Sequence, residues 1–385
     1  MQEHQPDTHR ASPEELGLEP LDSYDHREIV TVDDMLRGMA KNGFEGGNLG
    51  RSLETFIEMV TNKDIFVTMT ISGAMTPAGM SPTICEMIDL NMVDTIVCTG
   101  ATMAHGLVLS SGLKHYKIPK HLTDTDLQKL KINRILDVGE PETNLDHVES
   151  IFNKVIDRMD SAKVFSSHRI SYEIGKYLDE NYEDQGILKS AYRQGVPVII
   201  PAFSDSELGL DFKIGNDVRH HLKQKELRYD DFIDLTFFSE LIVTQALRGK
   251  KLGIFTIGGG VPRNWAQQVG PYIELREDRL AAADPNYKKI EAPMYQYGMR
   301  ICPEPVGLGG LSGCTYEEGK SWRKFVEDAT TSEVLVDATI AWPLVVQAAL
   351  QRLDFKPIEK DVFSGKEAVA QIEEYINKRY NSGLT

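Results

Sequence analysis

The feature that most constrains this chain is a repeated unit. A short, continuously apolar run ends in small residues, and a helical pattern follows. Phe66-Val67-Thr68-Met69-Thr70-Ile71 runs into Ser72-Gly73-Ala74, and Asp94-Thr95-Ile96-Val97-Cys98 runs into Thr99-Gly100-Ala101. Val196-Pro197-Val198-Ile199-Ile200 leads into Pro201-Ala202, and Leu252-Gly253-Ile254-Phe255-Thr256-Ile257 into Gly258-Gly259-Gly260. Val334-Leu335-Val336 leads into Asp337-Ala338-Thr339. Strands that stay apolar without alternating are covered on both faces, as in a parallel sheet. Helical patterns lie between them, at 81–90, 145–159 and 232–247.

The expected fold is therefore α/β: a doubly wound, largely parallel, Rossmann-like sheet with helices on both faces. In such folds ligands sit at the carboxyl ends of the strands, where all five small-residue clusters fall. Residues 1–27 are polar and aperiodic and read as a flexible N-terminal arm, with 28–385 as a single α/β domain. The stretches 115–143 and 271–296 look irregular, the first as an insertion or lid, and 366–380 reads as a surface helix.

Composition removes several functions. A formal charge of -16 argues against a general nucleic-acid binder, because phosphate contacts need a basic surface. Cys85, Cys98, Cys302 and Cys314 have no CxxC spacing and suit a reducing cytoplasm. The polar, acidic N-terminus does not resemble a signal peptide, and the longest apolar stretch, 338–350, is too short and broken to span a membrane.

Gly258-Gly259-Gly260 after a strand lets backbone approach a ligand and frees N–H groups for phosphate oxygens, but it is also an ordinary tight turn. It is not the GxGxxG fingerprint. Asp205 and Asp337 lie at strand ends, where a carboxylate can accept ribose hydroxyls or simply cap the next helix. Lys324 adjoins Arg323 and follows Lys320 by four residues; neighbouring cations favour the neutral amine that forms an imine. Trp322 beside it suits stacking on a cofactor ring or an alkylammonium chain, or a place in the core. His105, His168, His220 and His221 show no metal-ligand spacing, so no metal is expected.

The segment Ser312-Gly313-Cys314-Thr315-Tyr316-Glu317-Glu318-Gly319-Lys320-Ser321-Trp322-Arg323-Lys324 is similar to the S-G-A-x-x-x-E-x-x-S-W-x-K signature of deoxyhypusine synthases. The resemblance is collinear through Asn91-Met92-Val93-Asp94, Ile132-Asn133-Arg134-Ile135, Leu208-Gly209, Gly258-Gly259-Gly260-Val261 and Val336-Asp337-Ala338, and covers roughly residues 60 to 350. It implies a homotetramer in which NAD and active sites lie at subunit interfaces. It also implies the chemistry. NAD takes hydride from spermidine, a lysine imine holds the 4-aminobutyl group, and an acceptor amine receives it. The acceptor is a protein lysine in deoxyhypusine synthases and putrescine in the related homospermidine synthases. A non-catalytic NAD-binding protein is the rival from another class.

Carried over by position, Lys324 resembles the imine-forming lysine, Trp322 the aromatic wall and Glu318 a substrate carboxylate. Thr99, Gly100, Ala101, Asp205, Gly259, Gly260, Ser312, Asp337 and Ala338 resemble NAD-site residues. Several positions depart from the family pattern. Asn264 replaces a histidine, Gly73-Ala74 a Ser-Asn pair, and Ala104-His105 a pair of acids, which leaves His105 and Asn264 as expected substrate-side residues. Leu210 and Leu311 also stand where acids are expected, and Glu207, Asp211 and Glu304 are the nearest carboxylates to replace them.

Overall fold

The computed structural model describes residues 12–360 and 366–381; residues 1–11 of the expected arm lie outside the described residues. Its centre is a six-stranded sheet in the order β11 (Phe325–Val334), β10 (Tyr295–Ile301), β9 (Lys251–Ile257), β1 (Ile65–Ile71), β2 (Thr95–Cys98), β7 (Val198–Ile199). Every neighbouring pair is parallel. Read in chain order, the six strands run 6-5-4-1-2-3, the doubly wound dinucleotide-fold order. All seven residues of β1 are buried, which explains why its sequence does not alternate.

Alternate residues of each strand feed two apolar clusters. Ile65, Val67, Met69 and Ile71 join the larger, with Phe255 and Ile257. Helices α1 (Val32–Met39), α2 (Phe44–Thr61), α3 (Ser81–Asp89), α4 (Gly100–Ser110), α6 (Glu142–Arg158), α7 (Ser167–Asn181), α8 (Ile187–Gln194), α9 (Glu207–His221) and α13 (Ala338–Arg352) supply the rest of it. Phe66, Leu252 and Ile254 point the other way, onto α10 (Phe232–Leu247), α11 (Gly260–Ala283), α12 (Tyr316–Ser321) and α14 (Lys366–Asn381). Trp342 of α13 is fully buried, edge-on to Phe255, so truncating either ring would cost about 3–5 kcal/mol.

Three sequence expectations are corrected. The stretch 115–143 is ordered as an antiparallel sheet of β3 (Tyr116–Lys117), β5 (Val138–Pro141) and β4 (Ile132–Ile135), with α5 (Asp124–Lys129) between. Its strands are two to four residues long and mostly exposed or half-buried, so no apolar run announces them. The stretch expected to be irregular from 271 is helical to Ala283, because α11 continues through Pro271. The last strand runs over Phe325–Val334, ending where the apolar Val334-Leu335-Val336 begins, since exposed and half-buried polar residues between Glu327 and Glu333 form most of it. A further short pair, β6 (Val164–Phe165) with β8 (Arg228–Tyr229), precedes α7 and α10. The described part of the arm, 12–27, is largely exposed, though Tyr24 packs on Gly38. No described helix is long and apolar enough to cross a membrane.

α14 is anchored by a buried histidine. His168 Nδ1 lies 2.6 Å from Asp234 Oδ1 and its Nε2 lies 2.5 Å from Glu373 Oε1, with the ring stacked on Phe237. Arg169 donates to the same Glu373 carboxylate at 2.7 Å. Burial alone would push the His168 pKa down; the two carboxylates outweigh it and raise it. Glu373, pushed up by burial, is held down at about 2 by His168 and Arg169. A raised folded value means the stability from His168 is fully present below its ordinary pKa and is lost as pH rises through the folded one. Glu373→Gln should therefore cost about 2–3 kcal/mol in slightly acidic solution, and less as pH rises through that value. Urea midpoints of the two proteins across pH check this.

Candidate active site

The switch point of the sheet lies between β1 and β9, whose following connections diverge to opposite faces; ligands of open α/β sheets bind there. The turn after β9 is built from Gly258 at φ 77, Gly259 and Gly260 at φ 63. Positive φ makes glycine the low-cost residue at Gly258 and Gly260. At Gly259 the reason is space, since a Cβ would lie 2.8 Å from Ser312 Cα. Gly260 is open, with nothing nearer than Ser312 Oγ at 3.9 Å from where its Cβ would be. The Ser72 hydroxyl, after β1, accepts from Gly259 N–H at 3.0 Å and donates to the Gly259 carbonyl, locking the two connections together.

The other expected nucleotide-side residues flank this point at the same edge. Thr99 caps α4, its hydroxyl 2.8 Å from that of Thr102. Gly100 is buried against Ser206, where a Cβ would lie 2.2 Å from Oγ, and Ala101 follows it half-buried. Asp337 is exposed and caps α13 by accepting from Thr339 N–H at 2.8 Å, with Ala338 buried behind it. Asp205 is exposed; Ser206, not Asp205, caps α9. The structure thus packs Ser312 against the turn of Gly259 and Gly260 and sets Thr99, Gly100, Ala101, Asp205, Asp337 and Ala338 along the same edge of the sheet.

Lys324 occupies a cavity of about 160 Å³ between the first turns of α11, the 311–315 loop and α12, together with Asn264, Glu318 and Trp322. Its Nζ donates to Asn264 Oδ1 at 3.0 Å and sits 5.9 Å from the Trp322 ring. The indole is 59% exposed, so it forms a wall and not core. Local sequence explains the placement. Thr315 caps α12, and the helix ends with Arg323 N–H on Lys320 O and Lys324 N–H on Gly319 O, a Schellman closure. That closure needs a left-handed residue, and Arg323 supplies it at φ 56.

Burial lowers the Lys324 pKa first, followed by the Arg263 guanidinium; Glu318 opposes them. The cations expected from sequence play no such part. Arg323 turns away to pair with Glu274, and Lys320 pairs with Glu317 at 2.8 Å. Arg263, 2% exposed, donates to Cys314 O at 2.6 Å and Leu311 O at 2.7 Å. Arg300 donates to Ser312 O and Cys314 O, both at 2.7 Å, and pairs with Glu333. These two arginines shape the loop that separates the glycine turn from Lys324. Sequence reading missed both, because nothing in G-V-P-R or in a strand arginine signals a carbonyl clamp. Ser72 stood in a small-residue cluster but carried no role.

His105 is not in this cavity. It lies half-buried on α4 beside the half-buried His115 and the buried Glu140, a cluster that no sequence spacing announced. Glu207 and Asp211 lie on α9, and burial with Glu149 and Glu207 nearby pushes Asp211 up to about 6. Glu304 rests against Gly310 and Gly313. None of these three carboxylates lines the Lys324 cavity. A larger cavity, about 550 Å³, lies beside the amino ends of β6 and β7 and holds none of the expected site residues, so it is not the candidate.

The deoxyhypusine synthase family model matches residues 34–349. This chain belongs to the deoxyhypusine synthase family. It is 32% identical over 331 residues to the probable deoxyhypusine synthase 2 of Methanosarcina mazei, covering 86% of this chain and 88% of that one. It is 32% identical to the probable deoxyhypusine synthase 2 of Archaeoglobus fulgidus, over 81% and 96%. A deoxyhypusine synthase-like protein of Chlorobaculum parvum is 31% identical, over 84% and 87%. The fold matches the crystal structure of a protein from Entamoeba histolytica assigned as a deoxyhypusine synthase, with TM-score 0.55 at 14% identity, covering 89% of this chain and all of that one. The family is one of transferases.

A lowered pKa puts the free amine of Lys324 within reach at lower pH than an ordinary lysine, whose value is about 10.4. Acetylation followed by peptide mass spectrometry should give Lys324 a midpoint below that value. Asn264→Asp, placing an anion on Nζ, should move the midpoint up by about one pH unit or more.

Proposed function

We propose that this member of the deoxyhypusine synthase family is an NAD-dependent aminoalkyl transferase, moving a 4-aminobutyl group from a polyamine through an imine on Lys324. The observation that carries this reading is a partly buried lysine with a depressed pKa, hydrogen-bonded to Asn264 and walled by Trp322, on the family's S-W-x-K segment.

The residues fit the cofactor. Gly258 and Gly260 in left-handed conformation, the open side of Gly260 and the first turn of α11 would offer backbone N–H groups at the switch point, with the first turns of α4 and α13 further along the same carboxyl edge. Gly259, Ser312, Thr99, Gly100, Ala101 and Ala338 would line it, and the exposed Asp205 and Asp337 suit ribose hydroxyls. NAD, when bound, supplies the hydride acceptor and donor that the transfer needs.

Lys324 does the covalent work. Its neutral amine adds to an electrophilic C=N carbon of the oxidised polyamine, and expulsion of the departing amine leaves the four-carbon amine joined to Nζ as an imine. An acceptor amine then displaces Nζ, returning a proton to the lysine. Asn264 holds Nζ in place and, being uncharged, sets no anion beside it. Trp322 offers a ring face to an alkylammonium chain, and Glu318 a carboxylate to one ammonium.

Leu311 and Trp322 are exposed at the lip of this cavity, and Val306 and Leu308 are exposed on the loop that leads to it. Apolar surface of that extent supports a site completed by further copies of the chain, a homotetramer in this reading.

Borohydride trapping with NAD and spermidine should add a stable four-carbon amine to Lys324, and Lys324→Ala should abolish the adduct; labelling that survives the substitution sinks the mechanism. Gly259→Ala should push the Ser312 loop away and weaken NAD binding by at least about tenfold, equivalent to 1.4 kcal/mol. Calorimetric titration reads that loss.

A further inference from the structure

We propose that His105, His115 and Glu140 form a binding site for one divalent transition-metal ion of the zinc class, joining the small antiparallel sheet to α4. This rests on geometry alone and is independent of the aminoalkyl-transfer reading.

Three separate elements deliver the donors. His105 projects from α4. β3 pairs with β5 through Tyr116↔Gly139 and Lys117↔Val138, and continuing that register sets His115 opposite Glu140. Asn144, in the first turn of α6, fixes the backbone before His115 by donating to Lys114 O at 3.0 Å. The donor atoms of the three residues all lie within 4.8 Å of one another. His105 Nδ1 is 2.7 Å from Glu140 Oε2, and His115 Nε2 is 3.3 Å from Glu140 Oε1. Tetrahedral bonds of roughly 2.0–2.1 Å put neighbouring donor atoms about 3.3 Å apart.

Burial makes the arrangement demanding. The Glu140 side chain is wholly buried, and those of His115 and His105 are 6% and 12% exposed. The contacts are close imidazole–carboxylate ion pairs, but their angles are poor for hydrogen bonds. His105 Nδ1, both nitrogens of His115 and both oxygens of Glu140 are buried without a hydrogen-bond partner. Buried polar atoms of this kind are rare, and a buried carboxylate needs a cation. Lone pairs that converge without hydrogen-bonding one another are what a metal ion satisfies. Two imidazoles and a carboxylate suit first-row transition ions, not Mg²⁺ or Ca²⁺, which take oxygen donors. Three protein donors leave a fourth position for water.

The test uses the full-length protein, stripped with chelator and titrated with Zn²⁺, followed by bound-metal analysis and melting temperature, with Co²⁺ as a spectroscopic probe. The expected result is about one equivalent of ion per chain, a higher melting temperature on loading, and visible Co²⁺ bands of a low-coordinate site. His115→Ala and Glu140→Gln should each weaken Zn²⁺ at least about tenfold. Because either variant can lose its fold, the stripped wild-type chain serves as an independent arm. Wild-type protein that takes up under about a tenth of an equivalent and melts unchanged overturns the proposal, as does a folded variant that keeps wild-type affinity.

Discussion

The parallel pairing of β1 with β9 is the constraint on which the rest of the structure depends. Every residue of Ile65–Ile71 pairs with one of Lys251–Ile257, so the two strands end level. Their connections must then part to opposite faces, because each is followed by a helix that covers one of the two apolar clusters. That parting opens a crevice, and Ser72 closes its floor by holding Gly259 from both sides of the peptide. Gly259 in turn presses on Ser312, which carries the 311–315 loop, and Arg263 and Arg300 clamp the carbonyls of that loop. A register fixed in the core therefore sets the position of Lys324 several contacts away.

The reactivity of that lysine follows from what the site omits as much as from what it holds. Among the residues lining the cavity, Glu318 is the sole carboxylate, and it is exposed. Partial burial and the Arg263 guanidinium lower the amine's pKa together. A carboxylate within hydrogen-bonding distance of Nζ would reverse that balance, since an opposite charge favours the protonated form. Asn264 accepts the same hydrogen bond without that penalty to the neutral amine. Arg323 keeps its own cation out of the site by pairing with Glu274, at the cost of a left-handed backbone that a glycine would adopt more readily.

How much of this was legible in the sequence depended on the kind of burial. β1 and the body of β9 are covered on both faces, so their apolar runs stand out, and the glycines that follow mark the crevice. β10 reads Tyr-Gln-Tyr-Gly-Met-Arg-Ile and β11 is rich in Thr and acids. Two of their charged groups find partners far away in sequence, Arg300 in the loop carbonyls and Glu333 in Arg300 and Tyr316 N–H. No periodicity encodes that. Helix α11 was hidden by Pro271, although a proline can sit in a helix whose surroundings satisfy the freed carbonyl. Lys324, Asn264, Glu318 and Trp322, each singled out by its place in a family pattern, line one cavity, but the cause of the lysine's depressed pKa was not legible, because burial and the Arg263 guanidinium, 61 residues distant, produce it and the adjacent Arg323 does not.

His105 shows the same limit from the other side. Its position after the Thr99 turn assigned it to the substrate, by analogy with the acids it replaces. Helix geometry decides otherwise. His105 lies five residues after Gly100, more than one turn along α4, and faces the small sheet rather than the Lys324 cavity. Replacing an acid by histidine at this point brings an imidazole to Glu140, and the histidine–carboxylate contact can form only because the β3–β5 register delivers His115 and Glu140 together. A carboxylate in place of His105 would face Glu140 as a second buried anion, which a low-dielectric interior does not tolerate without a cation. The imidazole at position 105 is thus matched to His115 and Glu140, its partners in the small sheet.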